Sequence, residues 1–251
     1  MLLLALRVLQ LFLAASQTYH FPEETSMFWT FGYVFKEREY QIAVSLMGEY
    51  IYNTVFFEFP CITTLAYCLL IKQCVFPLCQ FKTNLKSLHF DMLLQKGFKI
   101  LRAYNILEEN IRLLKQMLST PMFAILLSCS MNLYSALDMS LGEEEIPLSL
   151  IASQIILAFI PSIVIVSLIT CSSKIPEAIQ QIKETAGILI EKNHLSTLSK
   201  GKDVSFLERL EKKEEIFLSA GGMVDLKKGL MLSIVGAFLT YGFLILNLDY
   251  K

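Results

Sequence analysis

A chain of 251 residues that is 54% hydrophobic and only 18% charged, with a mean hydropathy of +0.52, has too little charge to coat a water-soluble domain, where about a quarter of residues are charged. Its net charge of −1 argues against a nucleic-acid or other polyanionic partner. The composition predicts an all-α fold, a polytopic transmembrane helical bundle in contact with membrane lipid.

The chain opens on "MLLLALRVLQLFLAASQ", apolar but short for a span and interrupted by Arg7. Two readings stand for residues 1–16: the back half of a transmembrane helix, or a signal or anchor segment that lacks the usual basic start. Either places residues 17–44 outside. Apolar runs long enough to cross about 30 Å of hydrocarbon, roughly 20 residues each, follow at about 45–71, 118–138, 147–171 and 229–248.

Basic residues set the orientation, because Lys and Arg accumulate in cytoplasmic loops. Segments 72–117 and 172–228 hold 18 of the 22 Lys and Arg residues. The short 139–146 turn carries only Glu143, Glu144 and Glu145. The two long basic segments are therefore expected in the cytoplasm and the C-terminus outside. The cysteines agree: Cys61, Cys129 and Cys171 fall in or at the ends of spans, and Cys68, Cys74 and Cys79 at or near the cytoplasmic face. A disulfide framework is not expected from that placement.

The cytoplasmic segments read as helices. Phe98, Leu101, Tyr104, Ile106, Leu107, Ile111, Leu114 and Leu118 recur at helical spacing, and that helix is expected to run on into the span past Pro121. Ile175, Ile179, Ile182, Ala186, Leu189 and Ile190 repeat the pattern, and "DVSFLERLEKKEEIFL" opens with Ser205 and Glu208 in capping-box spacing. Gly221-Gly222 reads as a break in the cytoplasmic helix before the last span. The apolar stripes at 98–118 and 175–190 have no membrane to bury them and predict a packed cytoplasmic module through which subunits assemble. The only flexible stretch expected is 193–203. The expected organisation is thus 1–171, outer-pocket transmembrane helices with a cytoplasmic helical connection at 72–117; 172–228, a cytoplasmic assembly region; and 229–251, the last helix with a short outside C-terminus.

Enzyme chemistry finds little support. His20, His89 and His194 fall in separate loops and do not converge with a Ser or Cys nucleophile. Cys74, Cys79 and His89 lack a fourth ligand at zinc spacing. No glycine-rich phosphate loop is present, and neither a cofactor nor a metal is expected.

Polar groups inside the spans carry the information, since each is expensive there. Glu58 lies about thirteen residues, roughly 20 Å, into its helix, and Pro60 after it frees a backbone carbonyl nearby. It is either a carboxyl paired for packing or a ligand- or cation-facing group at the floor of an outward cavity. Asn132, Tyr134 and Asp138 in the next span and Gln154 in the one after lie in the outer halves of theirs. With Tyr50, Tyr52 and Phe56 they form a candidate aromatic pocket with a few polar anchors, the usual make-up of a small-molecule site. In the last span Ser233, Gly236, Thr240, Leu244 and Asn247 fall three or four apart, on one helical stripe. The stripe either allows close helix packing or lines a wet pore with Asn247 near its outer mouth.

The last span also carries "TYGFLILNL". This resembles the signature of the arthropod gustatory receptor family: a Thr-Tyr pair, five apolar residues, then Gln-Phe. Thr240 and Tyr241 match, as does the five-residue spacer Gly242–Leu246, while Asn247 and Leu248 replace the Gln and Phe. The preceding "FLSAGGMVDLKKGLMLSIVGAFLTY" is similar to that family too, and the resemblance covers roughly residues 95–251. It implies a seven-span plasma-membrane receptor, cytoplasmic at its N-terminus and outside at its C-terminus. It further implies a tetrameric cation channel, homo- or hetero-meric with related subunits, gated by a small-molecule tastant. In that family the last helix lines the pore, and the ligand pocket lies in the outer half of each subunit. About five spans fit in this chain, so residues 1–16 would correspond to the third of the seven. Other classes remain open: a secondary transporter subunit with Glu58 and Asp138 as ion-coupling carboxylates, or a non-conducting structural membrane protein.

Overall fold

In the computed structural model the described residues are 22–87, 90–141, 148–196 and 205–249, together with 8, 12, 15, 16, 18 and 19. Side chains at 22–25, 90–95, 139–141, 148–154, 193–196 and 245–249 are not described. The chain is mostly helical, 86%, so the class is all-α. Helices α1 (Pro22–Trp29) and α2 (Arg38–Asn53) lead through a π-helical turn, Thr54–Glu58, into α3 (Phe59–Ser87). Then follow α4 (Phe90–Leu141), α5 (Leu148–Ser172), α6 (Lys174–Ser196) and α7 (Ser205–Glu211). Strands β1 (Ser219–Ala220) and β2 (Val224–Asp225) precede the last helix, α8 (Gly229–Asp249). Of the expected outside turn at 139–146, residues 139–141 are still helical as the end of α4, while its remainder, most of residues 1–16 and most of the expected flexible stretch 193–203 lie outside the described residues.

Three helical stretches are long and apolar enough to cross a membrane: Arg38–Ser87, Lys96–Asp138 and Ile155–Lys192. The last helix is apolar over the shorter stretch Gly229–Leu244. As its periodicity predicts, α4 is one uninterrupted helix of 52 residues, about 78 Å at 1.5 Å per residue, with Pro121 inside it.

The chain divides into two compact units that interleave along the sequence. Unit 1 comprises Met1–Thr64, Ile125–Val166 and Ser233–Lys251; unit 2 comprises Leu65–Ala124 and Ser167–Leu232. In unit 2, α3 buries Ile71, Leu78 and Leu85, and α4 buries Tyr104, Ile111 and Leu118. Both sets recur every seven residues, the spacing that keeps one seam of a long helix facing its neighbours. Helix α6 buries Ile175, Ile179, Ile182 and Ala186, each no more than 1% exposed, and α7 adds Leu207 and Leu210.

Those values correct one expectation. The 175–190 stripe is covered inside the chain from Ile175 to Ala186, with Leu189 and Ile190 half-buried, so its apolarity does not by itself call for a second subunit. On α4 the outcome is split: Tyr104, Ile111 and Leu118 are buried, but Phe98, Ile106, Leu113 and Met117 remain more than half exposed.

A second correction concerns 212–228. The helix expected through "EKKEEIFL" stops at Glu211, and Gly221-Gly222 is the turn of an antiparallel β-ribbon, not a helix break. Ser219 pairs with Asp225 and Ala220 with Val224. Both glycines have positive φ, +61° and +70°, which glycine adopts without a Cβ penalty. The turn is pinned to α4: Gly221 N–H donates to Ser119 O at 2.8 Å and Gly222 N–H to Ser119 Oγ at 2.9 Å.

An ion-pair cluster ties the segment before the ribbon to α4. Glu108 accepts from Lys213 Nζ at 2.5 Å and from Arg112 Nη2 at 2.9 Å. Burial alone pushes the Glu108 carboxyl up, but the hydrogen bonds and charges of Lys213 and Arg112 outweigh it and hold the group below the ordinary carboxylate value. A depressed folded value means stability that is present above the unfolded carboxylate pKa and lost as pH falls through the folded one. Melting of the detergent-solubilised chain should therefore weaken as pH is lowered from about 5. Glu108→Gln should flatten that acid limb and lower the melting temperature at pH 7.

Candidate functional site

The site lies in unit 1, where α2, the π-helical turn and α4 bring aromatic and amide groups together. The turn arises beside Pro60. In α register the N–H of residue 60 would bond Phe56 O, and proline has none. Phe59 N–H instead reaches Thr54 O in the wider register, and Phe56 O accepts from Asn132 Nδ2 at 3.3 Å. Asn132 Oδ1 in turn accepts from Tyr52 Oη–H at 3.3 Å. One buried amide, 3% exposed, thus bridges a side chain on α2 and a freed backbone carbonyl in the turn. π-Helical turns within α-helices recur at functional sites because they displace side chains from the regular helical track.

An aromatic cluster surrounds the amide. Tyr52 lies 4.9 Å from Phe56 between ring centroids, 5.7 Å from Phe57 in edge contact and 6.2 Å from Trp29. Phe57 packs with Ile156 and Ile160 of α5, flanked by Tyr52, Cys61 and Leu157. Trp29 comes close enough to Gly48 that a Cβ there would collide with the indole, so glycine at 48 is what admits the ring. Sequence reasoning did not single out Trp29; it is the chain's only tryptophan, on a short helix before the first expected span.

Of the expected pocket residues, Tyr52, Phe56 and Asn132 are joined directly. Glu58 is half-buried at the end of the π-helical turn. Tyr50 and Asp138 are exposed, and Gln154 lies on α5 with its side chain outside the described set. Tyr134 belongs to a different feature: its ring meets Tyr241 of α8 edge-on, centroids 6.4 Å apart and planes at 85°. The two tyrosines line an apolar groove of about 540 Å³ with Met131, Ile234 and Phe238. Tyr241 thus meets its own chain through that edge contact while remaining 55% exposed.

Ile234, Phe238 and Tyr241 give α8 one face toward its own chain, and most of the rest of the helix is exposed. Ser233, Gly236, Thr240 and Leu244 of the small-polar stripe are all exposed, and Thr240 Oγ1–H donates to Gly236 O at 2.8 Å. Asn247 and Leu248 continue the helix, with side chains outside the described residues. Among the described residues no cluster of His, Cys, Asp and Glu is arranged to hold a metal ion.

The Asn132 bridge predicts a measurable loss. Asn132→Leu removes both hydrogen bonds and leaves Phe56 O unsatisfied, which should cost about 1–2 kcal/mol. Tyr52→Phe removes one and should cost less than half as much. Unfolding in detergent by increasing SDS fraction measures both.

No protein-family model matches the chain, and no curated protein matches it.

Proposed function

We propose that the chain is a multi-pass plasma-membrane receptor of gustatory type: a subunit of a ligand-gated, non-selective cation channel. On this reading the small-molecule tastant binds in the outer half of the helix bundle, beside Tyr52, Phe56 and Asn132. The observation that carries the proposal is α8. Its Thr240-Tyr241 pair and five-residue spacer match the family signature, and its small-polar stripe, like most of the helix, is exposed, which a helix contributing to a shared conduction path requires. Three other stretches long and apolar enough to span a bilayer support the membrane setting. The exposed apolar residues Phe98, Ile106, Leu113 and Met117 on α4 supply a face for homo- or hetero-tetramer contacts, since water-exposed patches of that kind mark interaction surfaces.

Whole-cell recording tests the reading. Cells expressing the chain should pass a cation current when a panel of small polar and aromatic tastants is applied, and should show no concentrative uptake of those compounds. Uptake coupled to an ion gradient without such current would favour the transporter class. Topology gives an independent check: a tag after Lys251 should be accessible on intact cells and one inserted at Gly201 should not. The reverse pattern would remove both the charge argument and the resemblance.

A further inference from the structure

Unit 2 holds a second cavity, of about 700 Å³, between α4 and the β-ribbon. Its charges are segregated by wall. The helix supplies Arg112 and Lys115, with Ser119; the ribbon and the segment leading to it supply Glu214, Glu215 and Asp225. Arg112 commits Nε and Nη2 to Glu108, and a guanidinium has five N–H donors. Asp225 pairs with Lys227 at 3.2 Å. The side chains of Lys115, Glu214 and Glu215 enter no ion pair or hydrogen bond among the described residues.

With Arg112 engaged by Glu108 and Asp225 by Lys227, the uncommitted charges are Lys115 on one wall and Glu214 and Glu215 on the other, a poor host for a pure anion, which the carboxylates would repel. They are an equally poor host for a simple cation. A group that carries a phosphate beside a primary ammonium satisfies both walls. The phosphate accepts from Lys115 and from the Arg112 N–H groups not given to Glu108, and the ammonium N–H bonds donate to Glu214 and Glu215. The place in the fold fits as well. The cavity adjoins the ends of two apolar stretches, the α4 run that begins near Leu118 and α8 from Gly229. Met117, Met223 and Leu232, each at least 73% exposed, offer apolar surface near those ends.

We propose that this cavity binds a phosphoethanolamine group, presented as the headgroup of a membrane phospholipid in the cytoplasmic leaflet. The inference relies on α4 and α8 meeting a bilayer at these ends, and it does not need the chain to conduct. Phosphate contacts hold the lipid, and the carboxylate wall selects the primary amine over headgroups that lack one.

Native mass spectrometry of the full chain in detergent, titrated with defined lipids, tests it. Phosphatidylethanolamine should bind about tenfold tighter than phosphatidylglycerol or phosphatidylcholine, the equivalent of one charge-assisted hydrogen bond. Glu214→Gln combined with Glu215→Gln should erase that preference while leaving phosphatidylglycerol binding equal or stronger. Lys115→Gln should weaken phosphatidylethanolamine and phosphatidylglycerol alike. All three positions lie at the surface or half-buried, so unchanged melting is expected and serves as the folding control. Soluble O-phosphoethanolamine separates the sources: failure to displace the lipid at comparable concentration supports a membrane ligand, and displacement would overturn the lipid assignment in favour of a soluble one. Equal retention of all three lipids by the unmodified chain, or a preference indifferent to the Glu214 and Glu215 changes, would overturn the site itself. Failure of the channel reading appears separately, as absent current with lipid binding intact.

Discussion

Ile182→Asp should unfold unit 2, and should not yield folded monomers. Ile182 is fully buried, and its stripe neighbours Ile175, Ile179 and Ala186 are each no more than 1% exposed within one chain. Removing the isoleucine side chain costs about 2–5 kcal/mol through lost burial and the cavity left behind. An unpartnered carboxylate in the same place adds several kcal/mol of desolvation. Together these approach the about 5–15 kcal/mol that holds a whole domain folded. The variant should lose its monodisperse peak in detergent and become protease-sensitive between residues 172 and 228. Ile188, on the same helix but 54% exposed, is the contrast: Ile188→Asp should melt within a few degrees of the unmodified chain. A folded, monomeric Ile182→Asp chain would mean that the stripe is covered by a neighbouring subunit after all.

The contrast between Ile182 and Phe98 shows what the sequence could and could not say. Helical periodicity identifies a stripe that must be covered, because the period is a local property of the backbone. Whether the cover is another helix of the same chain or a second copy is a tertiary matter that no spacing reports. The continuous α4 was legible for the same local reason, since its apolar pattern runs unbroken across the expected membrane boundary. The β-ribbon was not. Four consecutive charged residues, Lys212–Glu215, follow α7 and are compatible with a continuing helix, and Gly221-Gly222 reads equally as a helix stop or a hairpin turn. What decides it is the anchoring of the turn on Ser119, about a hundred residues earlier in the chain.

The candidate pocket divides in the same way. Tyr52, Phe56 and Asn132 were identifiable singly, as aromatic or polar groups inside apolar runs. Pro60 announced a freed carbonyl, but not that Asn132 would take Phe56 O, nor that the turn would widen to π register. Tyr134 groups with them by depth along a span, which is all that sequence position supplies. Its rotation about the helix instead gives it to Tyr241.

Asn247→Leu should abolish most of the current while surface expression and assembly stay normal. Ser233, Gly236, Thr240 and Leu244 share one stripe of α8 and are exposed, as is most of that helix, and a further step of three residues carries that stripe to Asn247. Thr240 already donates its hydroxyl hydrogen to Gly236 O, which leaves its oxygen as an acceptor toward the stripe. If related subunits place this face around a common axis, the Asn247 amides form a ring where permeating cations exchange water. Leucine there replaces four oxygen dipoles with methyl groups and turns a wet constriction into one prone to dewetting. Asn247→Asp should act in the opposite sense, favouring cations and strengthening divalent block through a ring of carboxylates. Leu246→Ala, about 100° away around the helix, should change permeation far less. Current–voltage curves recorded with monovalent and divalent cations distinguish these outcomes. If both Asn247 substitutions leave conductance and selectivity unchanged in cells where the unmodified chain conducts, the stripe serves helix packing and the conduction path lies elsewhere.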